Sequence, residues 1–263
     1  MVSITAIIFM FISLALCVLL PVSLAVYFYR KHKVSLMAVL IGALVFIISQ
    51  IAIRIPLLAL LGKQQWYIDM SGSVYALGLF LGLTAGLFEE VGRYIAMKFF
   101  MKKTLSWKNA VAFGIGHGGI EAIALVGLTI LNYIVMSFMI NSGAFDALVA
   151  AQLPPEVAQQ IKSLLIESPT VNFLAGGFER IMTMSIQIAF SVMVLYSVRF
   201  KKPLYLIYAI LLHGLVDSPL VVLSSMGLNV WAIELYVAVL AVIALIYIIK
   251  SKAIFEKQEQ ETA

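Results

Sequence analysis

Seven long apolar segments constrain the fold of this chain more than any other feature. A helix needs about 20 apolar residues to cross the roughly 30 Å hydrocarbon core of a bilayer. With 63% hydrophobic and only 12% charged residues, the chain is far more apolar than a soluble domain. We therefore predict an all-α, polytopic membrane helix bundle that forms a single integral membrane domain over residues 1–263. The predicted spans cover about 4–29, 35–61, 73–100, 109–140, 171–199, 203–224 and 229–249.

Basic residues predict the orientation of the bundle. They cluster after the first, third, fifth and seventh spans, whereas the loops after the second, fourth and sixth spans are poor in charge. Because basic loops stay in the cytoplasm, the N-terminus is predicted outside and the C-terminus inside. The net charge of +5 is thereby explained as a topology signal, and nucleic acid is not predicted as a partner. The single cysteine, Cys17, excludes an intrachain disulfide and a cysteine-rich metal site.

Two segments outside the spans also carry predictions. The loop 142–170 contains Pro154-Pro155-Glu156, and a proline followed by an acid is typical of a helix start. We predict a short amphipathic helix there on the outer surface, acting as a lid, as a substrate-docking element or only as a packed loop. The acidic tail 252–263 is predicted to be disordered.

Three spans within residues 73–224 carry ionisable side chains in their apolar interior. Such groups are costly in a membrane, so they indicate a functional site by default. The helical rise places Glu89, His117 and His213 roughly 14–16 Å from the cytoplasmic ends of their spans, so they share one depth. Two of these spans carry a histidine followed four residues later by an acid, and this spacing places both side chains on one face of a helix. The residues are Glu89, Glu90 and Arg93 in the third span, His117 and Glu121 in the fourth, and His213 and Asp217 in the sixth.

Histidines and carboxylates of this kind can bind a zinc-like ion or activate water. Arg93 lies one turn beyond Glu89 and could hold a carboxylate in place, while Asp217 and Glu121 could orient the imidazoles. A purely structural role stays open, in which the histidines join helices and Glu89 with Arg93 forms an ion pair. The pattern Gly114-x-Gly116-x-x-Gly119 matches a dinucleotide fingerprint, but no strand precedes it, so we reject that interpretation.

Together, these motifs resemble the intramembrane proteases that include the type II CAAX prenyl proteases and the PrsW proteases. His117-x-x-x-Glu121, followed by Gly176-x-x-Glu179-Arg180, is most similar to the YhfC family of intramembrane metalloproteases. The resemblance implies that Glu89 activates the attacking water with Glu90 nearby. It makes His117 a base or a ligand.

The same resemblance makes His213 and Asp217 oxyanion stabilisers or ligands. Arg93, Glu121, Glu179 and Arg180 would have supporting roles, although Glu179 and Arg180 are predicted near the outer face, away from the other groups. A zinc ion bound by Glu89, His117 and His213 is implied, while catalysis by glutamate and histidine alone stays open. The chain departs from the prenyl proteases in the spacing of Arg93 and in Asp217, where they commonly carry asparagine.

We therefore predict an intramembrane peptidase in a bacterial cell membrane, hydrolysing a membrane-associated peptide or protein in the lipid bilayer. A proton-coupled transporter is the first alternative, because buried acids and histidines also form proton relays. Against it, the sequence has no evident internal repeat, and its charged groups share one level. A catalytically inactive membrane scaffold of the same fold is the second alternative.

Overall fold

The computed structural model describes residues 1–261 as a helical protein with no β-strand in that range. Seven of its helices are long and apolar enough to cross a membrane, which confirms the predicted fold class. Their ends agree with the predicted spans to within a few residues, except at the last span. These helices are α1 (Ile4–His32), α2 (Leu36–Leu61), α3 (Val74–Phe100), α4 (Trp107–Ser142), α5 (Asn172–Arg199), α6 (Leu204–Ser225) and α7 (Val230–Glu261).

The last helix differs from its prediction. Instead of ending near residue 249 before a disordered tail, α7 continues to Glu261, and the remaining residues 262 and 263 lie outside the described range. Phe255 explains the extension, because it is 3% exposed and its ring lies 5.5 Å from Tyr196 and 5.3 Å from Phe200. Burial of this apolar ring therefore anchors the extension of the helix.

The connection between α4 and α5 contains the helix that its sequence predicts. Pro155–Glu167 is helical with proline in its first turn, as Pro154-Pro155-Glu156 indicated. Leu165 is buried at 1% exposure, and Lys162 forms an ion pair with Asp146 at 2.6 Å. Shorter helical turns lie at Phe145–Leu148 and Ala150–Gln152, and a further short helix covers Gln65–Ser71.

The chain folds into two compact units. The first unit contains Met1–Leu20 and Ala122–Ile181, and the second contains Pro21–Glu121 and Met182–Ala263. Helices α1, α4 and α5 contribute residues to both units, so no break in hydropathy marks the division, and the single membrane domain over 1–263 stays a prediction. The core of the first unit is formed by Val2, Ala6, Ile7, Met10, Cys17, Ile130, Ile134 and Leu165.

Glycines bring the helices of the second unit into backbone contact. A Cβ atom on Gly116 of α4 would lie 1.9 Å from the carbonyl oxygen of Val39 in α2, and one on Gly42 would lie 2.1 Å from that of Phe113. In α3, a Cβ on Gly86 would lie 2.5 Å from the carbonyl oxygen of Ile210 in α6. Small residues commonly allow such approaches in membranes, and here they bring the polar motifs within reach of each other.

Candidate catalytic site

Helix α3 presents Glu89, Glu90 and Arg93 to the interior of the second unit. Glu89 is 4% exposed, and Glu90 and Arg93 are fully buried. The guanidinium of Arg93 lies 3.2 Å from Glu89 Oε2 and 3.5 Å from Glu90 Oε2, because residues three and four positions apart share a helix face. One buried cation thus contacts both carboxylates.

Glu89 is where the motifs of three helices meet. Its Oε2 atom lies 2.9 Å from Nε2 of His117 on α4 and 3.9 Å from Nε2 of His213 on α6. Its Oε1 atom accepts a hydrogen bond from the side-chain amide of Gln50 on α2. The common depth predicted for Glu89, His117 and His213 therefore corresponds to direct contact.

A second chain of contacts runs from Glu90 through His213 to Asp217. His213 Nδ1 lies 2.7 Å from Glu90 Oε1, and its Nε2 lies 3.5 Å from Asp217 Oδ2. The Asp217 side chain is 37% exposed, whereas the other two are buried. Both ring nitrogens of His213 thus face carboxylates, which fix the orientation of the ring.

Arg93 is anchored on α5 by groups that are not ionisable. It donates to the carbonyl oxygen of Gln187 at 2.8 Å and to Ser191 Oγ at 3.0 Å, and also to the side-chain oxygen of Gln187. The Gln187 amide in turn donates to Glu121 Oε2 at 2.6 Å. Glu121 is therefore linked to the site through Gln187. Its predicted role of orienting His117 finds no support, because His117 Nδ1 has no hydrogen-bond partner among the described residues.

Aromatic rings pack against both imidazoles. Phe190 stacks on His213 with the ring centroids 4.8 Å apart and the planes 6° from parallel. Phe46 meets His117 edge-on at 5.3 Å, and Phe113 lies over it at 6.3 Å. Both histidines are at most 2% exposed. These contacts exclude water from the ring faces and leave the ring nitrogens as their reactive atoms.

The residues fit a divalent metal ion. Glu89, Glu90 and His213 each offer a ligand atom, and these atoms lie within 4.8 Å of one another. Carboxylate and imidazole donors suit zinc, and catalytic zinc sites commonly use three protein ligands. Glu90 Oε2 is buried and accepts no hydrogen bond from any described residue. This group shares Glu89 and His213 with the predicted ligand set and has Glu90 in the place of His117.

The ionisable residues of this cluster were predicted from the sequence, whereas its two side-chain amides were not. Gln50 and Gln187 contact Glu89 and Arg93, yet a search for ionisable residues passes over them. Arg54, also in α2, donates hydrogen bonds to Gln50 and to the backbone of α3. The sequence signal that could have indicated Gln50 is its position inside an apolar span, four residues before Arg54. Glu179 and Arg180 lie in the first unit, where Arg180 pairs with Glu179, and their supporting role stays a prediction.

The sequence is similar to known proteins over most of its length. The family model for the YhfC intramembrane metalloproteases matches residues 16–237 of the chain. The chain is 38% identical over 260 residues to the uncharacterized membrane protein YhfC of Bacillus subtilis (strain 168), and the match covers 97% of this chain and all of that protein. No solved structure matches the chain. The seven apolar helices and this Bacillus relative fit an integral, multi-pass protein of a bacterial membrane.

Proposed function

Because the chain belongs to the family of YhfC intramembrane metalloproteases, we propose that its buried site hydrolyses a peptide bond in a membrane-associated peptide or protein. The observation that carries the proposal is the meeting of Glu89 with His117 at 2.9 Å and with His213 at 3.9 Å. A carboxylate between two imidazoles offers both proton acceptors and proton donors, which amide hydrolysis needs.

Glu89 is assigned the role of general base. It contacts both histidines and retains 4% exposure, whereas Glu90 is fully buried and holds His213. Glu89 accepts a proton as the water oxygen forms a bond to the carbonyl carbon. When the C–N bond breaks, the amide nitrogen receives that proton directly or through His117, so the products are a carboxylic acid and an amine.

His213 is assigned the stabilisation of the developing oxyanion. Its Nε2 atom faces the centre of the site, and an N–H there can donate to an oxyanion. Asp217 donates only when protonated, so we assign it the orientation of His213 across their 3.5 Å contact. The donors of Arg93 are directed at Glu89, Gln187 and Ser191, so this residue holds the site together and does not contact the substrate.

Glu89, Glu90 and His213 would hold a zinc ion, each through one atom. The second carboxylate oxygen of Glu89 and the second ring nitrogen of His213 would then keep the roles assigned above, with His117 beside Glu89. When bound, zinc supplies a Lewis acid that polarises a carbonyl oxygen and acidifies water. The role of the chain is then to fix the ligand atoms through Arg93 and Gln50 and to exclude bulk water through Phe190 and Phe46.

New protein N-termini in membranes test the proposal without a known substrate. A bacterial host lacking its own YhfC relative would produce the wild-type protein or Glu89→Gln, and the N-termini of its membrane proteins would be profiled by mass spectrometry. We expect termini that appear only with the wild-type protein, since removing a general base slows hydrolysis by about 10²- to 10⁴-fold.

Glu256→Gln is the matched control, because Glu256 is exposed near the C-terminal end of α7, where it pairs with Lys252 at 3.8 Å. It should give the wild-type set of termini. The proposal is overturned if Glu89→Gln, inserted at the wild-type level, produces the same termini as the wild-type protein.

A further inference from the structure

We infer that Gln50 and Arg54 are positioning residues for Glu89, carried by a π-helical segment of α2. The segment covers Ile47–Arg54 and lies within the span Leu36–Leu61. The inference rests on the proposed function, because a positioning role requires that Glu89 act in catalysis. Neither residue belongs to a motif by which the sequence indicated the site.

Hydrogen bonds connect the two residues to Glu89 in series. Arg54 Nη1 donates to Gln50 Oε1 at 3.0 Å, and Gln50 Nε2 donates to Glu89 Oε1. Gln50 is 5% exposed, so its amide must find its partners inside the protein. The Gln50 amide is the donor that holds Glu89 Oε1, while Arg93 and His117 hold Oε2.

Arg54 determines which way the Gln50 amide points. A guanidinium can only donate, so the amide oxygen must face Arg54 and the NH₂ group must face Glu89. Arg54 is itself fixed on α3, where Nη2 donates to the carbonyl oxygen of Leu81 at 2.6 Å and Nε to Thr84 Oγ1 at 3.2 Å. The series therefore begins and ends on α3. A half turn of the Gln50 amide would place its oxygen, an acceptor, against the Glu89 carboxylate, which is also an acceptor.

The π-helical segment is the local device that presents these side chains. Such segments are rare and occur frequently at functional sites. The neighbouring polar residue, Ser49, returns its hydrogen bond to the carbonyl oxygen of Val45 at 2.7 Å on the same helix. Gln50 and Arg54 instead reach α3, so two of the three polar side chains in the segment serve the site.

Loss of this series should loosen Glu89 without removing it. A carboxylate that lacks one of its donors can rotate, and misplacement of about 1 Å costs roughly 10²-fold in rate. Groups that orient metal ligands typically contribute about 10- to 100-fold to metal affinity. The expected signature is weaker zinc binding and slower cleavage in a protein that remains folded.

The test compares Gln50→Leu, Arg54→Met and their combination in the full-length protein purified in detergent. Zinc affinity is measured by competition with a chromophoric chelator, and cleavage is measured as the rate at which new N-termini appear in host membranes. We expect each single variant to bind zinc about 10- to 100-fold more weakly. The double variant should bind zinc no more weakly than the single variant with the lower affinity, because Gln50 and Arg54 act through one series of hydrogen bonds.

Two further variants separate positioning from a general structural effect. Arg54→Lys retains a donor for Gln50 Oε1 and should recover part of the loss, whereas Ser49→Ala in the same segment should match the wild-type protein. The thermal unfolding midpoint of the metal-free protein confirms folding. If Gln50→Leu does not fold, Arg54→Met still decides, since it changes no atom in contact with Glu89.

The outcomes distinguish the inference from the proposed function. Wild-type zinc affinity and cleavage in Gln50→Leu or Arg54→Met, or additive losses in the double variant, would overturn the inference and leave the proposed function standing. A folded wild-type protein that neither binds zinc nor produces new N-termini would overturn both together.

Discussion

The central residue interaction of the site is the clamp that Arg93 makes on Glu89 and Glu90. Its guanidinium contacts both carboxylates and is itself held by Gln187 and Ser191, with no exposed surface. Two adjacent carboxylates would repel each other in a buried site without this cation. The clamp therefore allows α3 to carry a paired acidic site.

Replacing Arg93 with methionine should destabilise the protein by roughly 3–5 kcal/mol, the typical cost of removing one partner of a buried ion pair. Arg93→Lys should lose less stability, because lysine keeps the positive charge, although it lacks the forked donors of the guanidinium. The free energy of unfolding in detergent measures both effects. Arg30→Met, at the exposed end of α1, is the control. A loss below about 0.5 kcal/mol for Arg93→Met would contradict the clamp.

Ionisable residues of the site were predictable from sequence, and the amides were not. Glu89, His117 and His213 stand out because charge is rare in an apolar span, and their depths follow from counting residues to the nearest lysine. Gln50 and Gln187 carry no charge. The sequence marks Gln50 only by its place four residues before Arg54, so the part of both amides in the site is established by their contacts. The replacement of His117 by Glu90 in the metal-ligand group depends on side-chain geometry, which spacing does not determine.

Among the elements, the crossing of α2 and α4 positions His117. Gly42 and Gly116 allow the two backbones to touch, and His117 follows Gly116 directly. Hydropathy predicts where these helices begin and end, because it reflects the length of the hydrocarbon core. It does not predict the π-helical segments at Ile47–Arg54 and Ala122–Gly127.

The close crossing of α2 and α4 predicts that Gly116→Ala lowers both the stability and the activity of the protein. Its Cβ would lie 1.9 Å from the backbone oxygen of Val39, so the helices must separate and His117 must move away from Glu89. We expect a loss of about 1–3 kcal/mol in stability, as for other overpacked sites, together with loss of cleavage.

Gly62→Ala is the matched control, because its Cβ would lie 3.4 Å from the nearest atom and the residue is exposed. Thermal unfolding and N-terminal profiling compare the two variants. Gly116→Ala with wild-type stability and cleavage would show that close approach of α2 and α4 is not required.

For the whole molecule, the alternation of basic and charge-poor loops predicts the orientation in the membrane. The seven helices confirm the number of spans, while the outside position of the N-terminus stays a prediction. In that orientation, the helix Pro155–Glu167 lies outside and Lys252 lies inside. The orientation determines from which side a substrate's soluble part would approach.

Cysteine labelling tests this orientation. With Cys17 changed to alanine, Gln160→Cys should react with an impermeant thiol reagent added to intact cells, and Lys252→Cys should react only after lysis. Both positions are exposed, so accessibility within the protein does not limit the reaction. Labelling of Lys252→Cys but not Gln160→Cys in intact cells would reverse the predicted topology.

Metal content is the most direct test of the central claim, that Glu89, Glu90 and His213 form one metal-holding catalytic site. The purified wild-type protein, Glu90→Gln, His213→Ala and the control His32→Ala would be analysed by mass spectrometry for bound metal, with zinc at trace level. We predict close to one zinc per chain in the wild-type protein and in His32→Ala, and its loss in the other two variants. A folded wild-type protein without metal, or zinc retained in both site variants, would contradict the claim.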